Sequence, residues 1–203
     1  MKQRIAGAAA ALLAAASFLP LHAEAVSAKK ACVLDGITGN VLFEKYAEDR
    51  SLIASTTKIM TALIVCEQCN VLDRMRIPKE AIGIEGSSMY LREGEILTLQ
   101  ELLYGLMLSS GNDAAVALAI YCGGTVDGFA ELMNDKARIL GLKNTHFVNP
   151  NGLDAPGHYS TARDLAVLAA CYGKSHFLQD GFRQKHPDRG EVSDQPQQTS
   201  VAC

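Results

Sequence analysis

The run Ala54-Ser55-Thr56-Thr57-Lys58-Ile59-Met60-Thr61-Ala62-Leu63 constrains this chain more than any other stretch. Ile59, Ala62, Leu63 and Cys66 recur at helical spacing, and Met60, Ile64 and Val65 cover most of the remaining positions. A helix that is apolar nearly all round must be enclosed by other elements. The pattern therefore predicts a central, buried helix from Ser55 to about Cys69, with the rest of the fold built around it.

Lys58 is out of place on such a helix unless it has a task. Residues three apart on a helix are neighbours, so its amine reaches the Ser55 hydroxyl. Burial disfavours the ammonium form and lowers a lysine pKa. A neutral amine beside a serine acts as a base and makes the hydroxyl a nucleophile. Ser-x-x-Lys also occurs as a solvated pair at a helix start, but the apolar surroundings argue against that here. The spacing points to acyl-transfer chemistry.

The elements around this helix follow from local signals. Ala31 to Asp35 and Val41 to Lys45 read as strands, and Gly36-Ile37-Thr38-Gly39-Asn40 between them has the composition of a hairpin turn. Residues 71–97 are mixed, with short strand-like pieces. Thr98-Leu99-Gln100-Glu101 is a capping box opening a helix through Leu102, Leu103, Leu106 and Met107. That helix breaks at Ser109-Ser110-Gly111-Asn112. A second apolar helix, Asp113 to Tyr121, stops at Gly123-Gly124, and a third runs from about Asp127 to Leu140. Residues 142–159 form a long loop rich in Asn, Gly and Pro. Ser160 or Thr161 then caps a helix from Ala162 to Tyr172.

Both ends of the chain differ from this middle. Lys2 and Arg4, the Ala/Leu-rich run Ile5 to Leu21, and Ala23-Glu24-Ala25 make residues 1–25 an export signal with a small-x-small cleavage site. Loss of Lys2, Arg4 and Glu24 takes the formal charge from −3 to −4. Without a basic run, nothing suggests nucleic acid as a partner. Residues 174–203 are polar, carry Gln195-Pro196-Gln197-Gln198, and show no structural period, so disorder is expected there. The chain therefore divides into 1–25, a domain at 26–173, and a tail at 174–203.

Of the 6 cysteines, Cys66, Cys122 and Cys171 lie on apolar helical runs and read as small core residues. Cys66 and Cys69 have Cys-x-x-Cys spacing, but no second pair or histidine cluster accompanies them. Neither a metal nor a cofactor is expected. Disulfide pairing is open at this level.

Ser110-Gly111-Asn112 forms a second constellation. A loop pinned between two core helices is fixed enough to aim side chains. Serine can relay a proton, and asparagine offers both a donor and an acceptor to an amide. Helix capping by Asn112 or Asp113 explains the same residues.

Ser-x-x-Lys followed by Ser-x-Asn is the motif order of the serine penicillin-recognising enzymes. From Cys32 to Tyr172 the chain closely resembles the low-molecular-weight penicillin-binding proteins that are D-alanyl-D-alanine carboxypeptidases. The matching segments include Ala54–Ala62, Glu101–Leu108, Ser110–Ala115, Asn149–Asp154 and Ser160–Ala166. The resemblance implies an α/β (α+β) fold of the β-lactamase/transpeptidase type, a helical cluster packed on an antiparallel sheet. It further implies that Ser55 attacks the bond between the terminal D-alanines of a peptidoglycan stem peptide and that Lys58 takes its proton. Ser110 would relay that proton to the leaving D-alanine, and Asn112 would hold the peptide amide. The Ser55 N–H would form half of an oxyanion hole. β-Lactams would acylate the same serine. His158 and Asp154 fall in a loop that is read as structural.

The resemblance has one gap. After Asn112 the lysines are Lys136, Lys143, Lys174 and Lys185, and none begins the Lys-Thr-Gly that such enzymes carry as a third motif. The chain is therefore expected to be a truncated or frame-shifted member with an incomplete sheet, an open strand edge and weak or no turnover. Two other readings stand beside this one. One is a class A β-lactamase-like hydrolase, disfavoured by the flanking matches. The other is a non-catalytic wall-binding relative.

Overall fold

A computed structural model describes residues 26–173. The export signal expected at 1–25 and the polar tail expected at 174–203 lie outside the described residues. Within them, the order is β1 (Ala31–Leu34), β2 (Val41–Lys45), a 3-10 turn (Ala54–Thr57), α1 (Lys58–Gln68) and β3 (Arg74–Arg76). There follow β4 (Ile96–Thr98), α2 (Leu99–Leu108), α3 (Asn112–Gly123), α4 (Val126–Ile139) and α5 (Ala162–Gly173).

Helix α1 is central, as its composition requires. It packs against α2, α3, α4 and α5, and Met60, Ala62, Leu63, Ile64 and Val65 are all buried. Phe129 and Met133 of α4 and Leu102, Leu103 and Leu106 of α2 fill the space around it. The capping box is in place at the start of α2. The Glu101 N–H donates to Thr98 Oγ1 at 3.1 Å, and the Thr98 N–H donates to the Glu101 carboxylate at 2.8 Å. Thr98→Ala removes the first of these bonds and is expected to cost about 1 kcal/mol in chemical denaturation, with m unchanged.

The strands form two separate antiparallel pairs, β1–β2 and β3–β4. In the first, Val33 faces Phe43 and Cys32 faces Glu44. Asp35 shapes the connecting turn by accepting from the N–H groups of Ile37 and Thr38. One side of this hairpin lies on α5. Val33, Leu42 and Phe43 of the hairpin are between 40 and 67 % exposed. Both pairs leave strand edges without a partner among the described residues, as the incomplete sheet predicts, whereas the apolar surface of α1 is covered by its neighbouring helices.

The cysteines depart from expectation. Cys69, the C-cap of α1, is disulfide-bonded to Cys122 near the end of α3. Cys122 is therefore a cross-link and not simply a small core residue. The Cys66/Cys69 spacing carries no paired function, because Cys69 is committed to a partner 53 residues away. Helical spacing exposes neighbours on one helix but not a partner on another.

The loop before α5 is cross-braced. His146 and Tyr159 exchange backbone hydrogen bonds of 2.9 and 3.0 Å. Asn149 and Asn151 turn their side chains onto the backbone of Gly152 and Leu153. Thr161 caps α5 by accepting from the Asp164 N–H. This bracing places residues 149–154 beside the start of α1.

Candidate active site

The turn that carries Ser55 is 3-10, and the α-helix begins only at Lys58. In a 3-10 turn, residues i and i+3 eclipse, so the tighter winding stacks Ser55 over Lys58. The Lys58 N–H donates back to the Ser55 carbonyl, closing that turn. Ala54, just before the serine, is held at φ +45°. Non-glycine residues occupy that left-handed region at an energetic cost, usually where function or packing fixes them. Ser55 is exposed at the floor of a cleft, while Lys58 is 2 % exposed beneath it.

Four oxygens surround the Lys58 amine: Asn112 Oδ1 at 2.6 Å, Ser55 Oγ at 3.0 Å, the Asn151 carbonyl at 3.0 Å and Ser110 Oγ at 3.3 Å. None of them is a carboxylate. Burial therefore lowers the Lys58 pKa with no opposing ion pair. A neutral amine fits this set. Its two N–H bonds satisfy the carbonyl oxygens of Asn112 and Asn151, and its lone pair is left facing the two hydroxyls. That is the arrangement a base needs for taking a serine proton.

Ser110 and Asn112 arrive from the break between α2 and α3. Ser110 adopts φ +54°, a second left-handed non-glycine residue at the site. Asn112 is the first residue of α3, and its cap, Gly111, offers no side chain. Helix capping therefore does not account for Asn112. Its side chain bridges the site, accepting from Lys58 and donating to the Glu85 carbonyl at 2.5 Å. Gly86 lies against it at φ +90°, where a Cβ would stand 2.7 Å from Asn112 Nδ2.

Asp113 holds the neighbouring wall. Its buried carboxylate accepts from the Ser88 hydroxyl and from the N–H groups of Met89, Leu91 and Ala114. Burial alone would raise this carboxyl. The hydrogen bonds outweigh burial, with Ser88 contributing most, and hold it below the usual carboxylate range.

The opposite wall was not apparent as part of the site. Asn151 acts through its backbone carbonyl, and Gly152 lets the loop pass so close to the turn that a Cβ there would stand 1.8 Å from the Ala54 carbonyl. Residue type does not reveal a backbone acceptor. Asp154 lines the cleft, whereas His158 is buried behind the turn, hydrogen-bonded to Thr57. The cleft encloses about 480 Å³ between Glu85, Gly86 and Ser87 on one side and Asn151, Gly152, Leu153 and Asp154 on the other. No group of three or more metal-ligating side chains occurs among the described residues.

Comparison with known proteins gives one consistent result. Residues 18–186 match the family described as D-alanyl-D-alanine carboxypeptidase. The chain is 43 % identical over 147 residues to the D-alanyl-D-alanine carboxypeptidase DacF of Bacillus subtilis, covering 70 % of this chain and 38 % of that protein. To DacC of Escherichia coli it is 39 % identical over 159 residues, covering 73 % and 40 %. The chain thus spans less than half the length of these relatives. Among solved structures, the DacD carboxypeptidase of Francisella tularensis superposes with a TM-score of 0.72 at 38 % identity, over 74 % of this chain and 38 % of that one. Penicillin binding protein 5 of Haemophilus influenzae gives 0.71 at 33 %, over 79 % and 47 %. The mixed α/β fold is that of the penicillin-binding DD-peptidases, and the chain belongs to the D-alanyl-D-alanine carboxypeptidase family.

Proposed function

We propose that this chain carries the nucleophilic half of a D-Ala-D-Ala carboxypeptidase site acting on peptidoglycan stem peptides. Ser55 Oγ attacks the carbonyl carbon between the two terminal D-alanines and gives its proton to Lys58 Nζ. The N–H of Ser55, at the start of the turn, stabilises the resulting oxyanion. Ser110 passes the proton on to the departing D-alanine nitrogen, the C–N bond breaks, and an ester to Ser55 remains. Water, deprotonated by Lys58, then hydrolyses that ester. Asn112 fixes the Lys58 amine and has a second amide N–H for the substrate.

The observation that carries this reading is the Lys58 amine, 3.0 Å from Ser55 Oγ, buried and without an acidic partner. β-Lactams are expected to acylate the same serine. The export signal read at residues 1–25 places the domain at 26–173 on the extracytoplasmic side of the envelope.

The cleft itself points to what the reaction still needs. Its charged lining residues are Glu85 and Asp154, with neither lysine nor arginine among them. A substrate ending in a carboxylate is repelled by such a rim unless a cation is supplied from outside the described residues. The Lys-Thr-Gly that serves as third motif in the family begins with a residue of that charge. Acylation by a β-lactam and release of D-alanine are therefore separable. The full chain is expected to take a fluorescent penicillin covalently, and Ser55→Ala to take none. D-Alanine release from a stem pentapeptide is expected to be slow. Labelling that persists in Ser55→Ala would refute the assignment, and labelling without D-alanine release would favour a non-catalytic wall-binding role.

A further inference from the structure

His158 has no part in the chemistry above, yet it is 2 % exposed and reaches the catalytic turn from behind. Its Nδ1 accepts from the Val148 N–H at 3.1 Å, so the ring proton resides on Nε2. Nε2 lies 2.9 Å from Thr57 Oγ1 and donates to it. Thr57 is fully buried, between Ser55 and Lys58 in sequence, and is the last residue of the 3-10 turn. Phe147 stands edge-on to the imidazole, closing that side. Two further contacts join the same loop to the same helix start: the Pro150 carbonyl accepts from Thr61 Oγ1 at 2.7 Å, and the Asn151 carbonyl accepts from Lys58.

We infer that His158 is a positioning residue, which through Thr57 holds the turn that presents Ser55 to Lys58. The inference rests on the proposed roles of those two residues. A neutral ring is required, because a proton on Nδ1 would face the Val148 N–H. Burial, and then neighbouring His146, lower the His158 pKa against a smaller opposing pull from Asp154. The ring thus stays in the form that donates from Nε2 alone. Displacements near 1 Å in a reacting pair cost up to about a hundred-fold in rate, so a turn released on one side registers in acylation before it registers in folding.

The test is the rate at which the full chain takes a fluorescent penicillin, measured well below the melting point of every variant. Thr57→Val, which keeps the shape and removes the acceptor, is expected to slow labelling about ten-fold. His158→Leu is expected to do the same, and the double variant to be no slower than either single one. His158→Gln, whose amide can donate to Thr57, is expected to recover most of the rate. Equal rates in all folded variants, with only melting temperatures lowered, would overturn the inference. So would nitrogen-15 shifts showing a charged or Nδ1–H ring in the wild-type protein at neutral pH. If the wild-type chain takes no label, the reading of Ser55 fails on its own account. Titration of the Lys58 amine then decides: a shift in Thr57→Val supports the positioning role, and an unchanged curve overturns it.

Discussion

Lys58→Met is expected to reduce acylation of Ser55 by a β-lactam by about three orders of magnitude, the middle of the range for loss of a general base. Methionine fills the space but cannot accept the serine proton, and it leaves Asn112 Oδ1 and the Asn151 carbonyl without their donor. The wild-type rate should rise with pH as the amine deprotonates and level off above its lowered pKa. The variant should lack that limb. Stability follows the same linkage. Between the lowered folded pKa and the ordinary lysine value of 10.5, the unfolded chain binds more protons than the folded one. Wild-type stability therefore rises with pH across that window, and below it the folded protein carries the full cost of a buried charge. Lys58→Met removes this dependence. A variant that labels within three-fold of wild type, or keeps the same pH limb, would show that another group serves as base.

What the sequence made legible is what periodicity and local chemistry encode. The apolar run after Lys58 required a central helix, and the Thr98 box required a helix start. Both Ser110 and Asn112 reach Lys58, as their motif order implies. Two kinds of feature were hidden. The first is backbone function, since neither the Asn151 carbonyl nor the close approach allowed by Gly152 has a residue-type signature. The second is pairing across elements. Cys69 with Cys122, Thr57 with His158 and Asp113 with Ser88 are joined by the fold across 53, 101 and 25 residues. Position along the helix suggested a cap for Asn112 or Asp113, whereas tertiary structure turns Asn112 onto the cleft and Asp113 onto residues 88–91.

Asp113→Ala is expected to lower stability by about 3 kcal/mol or more and Tm by about 10 °C, the largest effect of any polar substitution away from Lys58. The carboxylate satisfies the Ser88 hydroxyl and three backbone N–H groups. Deleting it leaves those donors in a buried place without an acceptor. Asp113→Asn keeps one acceptor oxygen but turns an NH2 toward some of the donors, so its loss should be smaller. A carboxyl held below its unfolded value contributes stability that is complete above about pH 4 and fades as pH falls through the lowered folded pKa. The gap between wild type and Asp113→Asn should therefore shrink below about pH 4 and be constant near neutrality. Function should follow through the wall and not through the base. Residues 88–91 are tied to α3 by this carboxylate, and the Asn112 N–H donates to the Ser87 carbonyl at 2.7 Å beside it. Releasing that segment opens the side of the cleft formed by Glu85, Gly86 and Ser87, so acylation slows while its pH limb, which belongs to Lys58, stays where it was. Melting within 2 °C or so of wild type would mean that water replaces the carboxylate at this position, and that the wall is held by the Asn112 contacts alone.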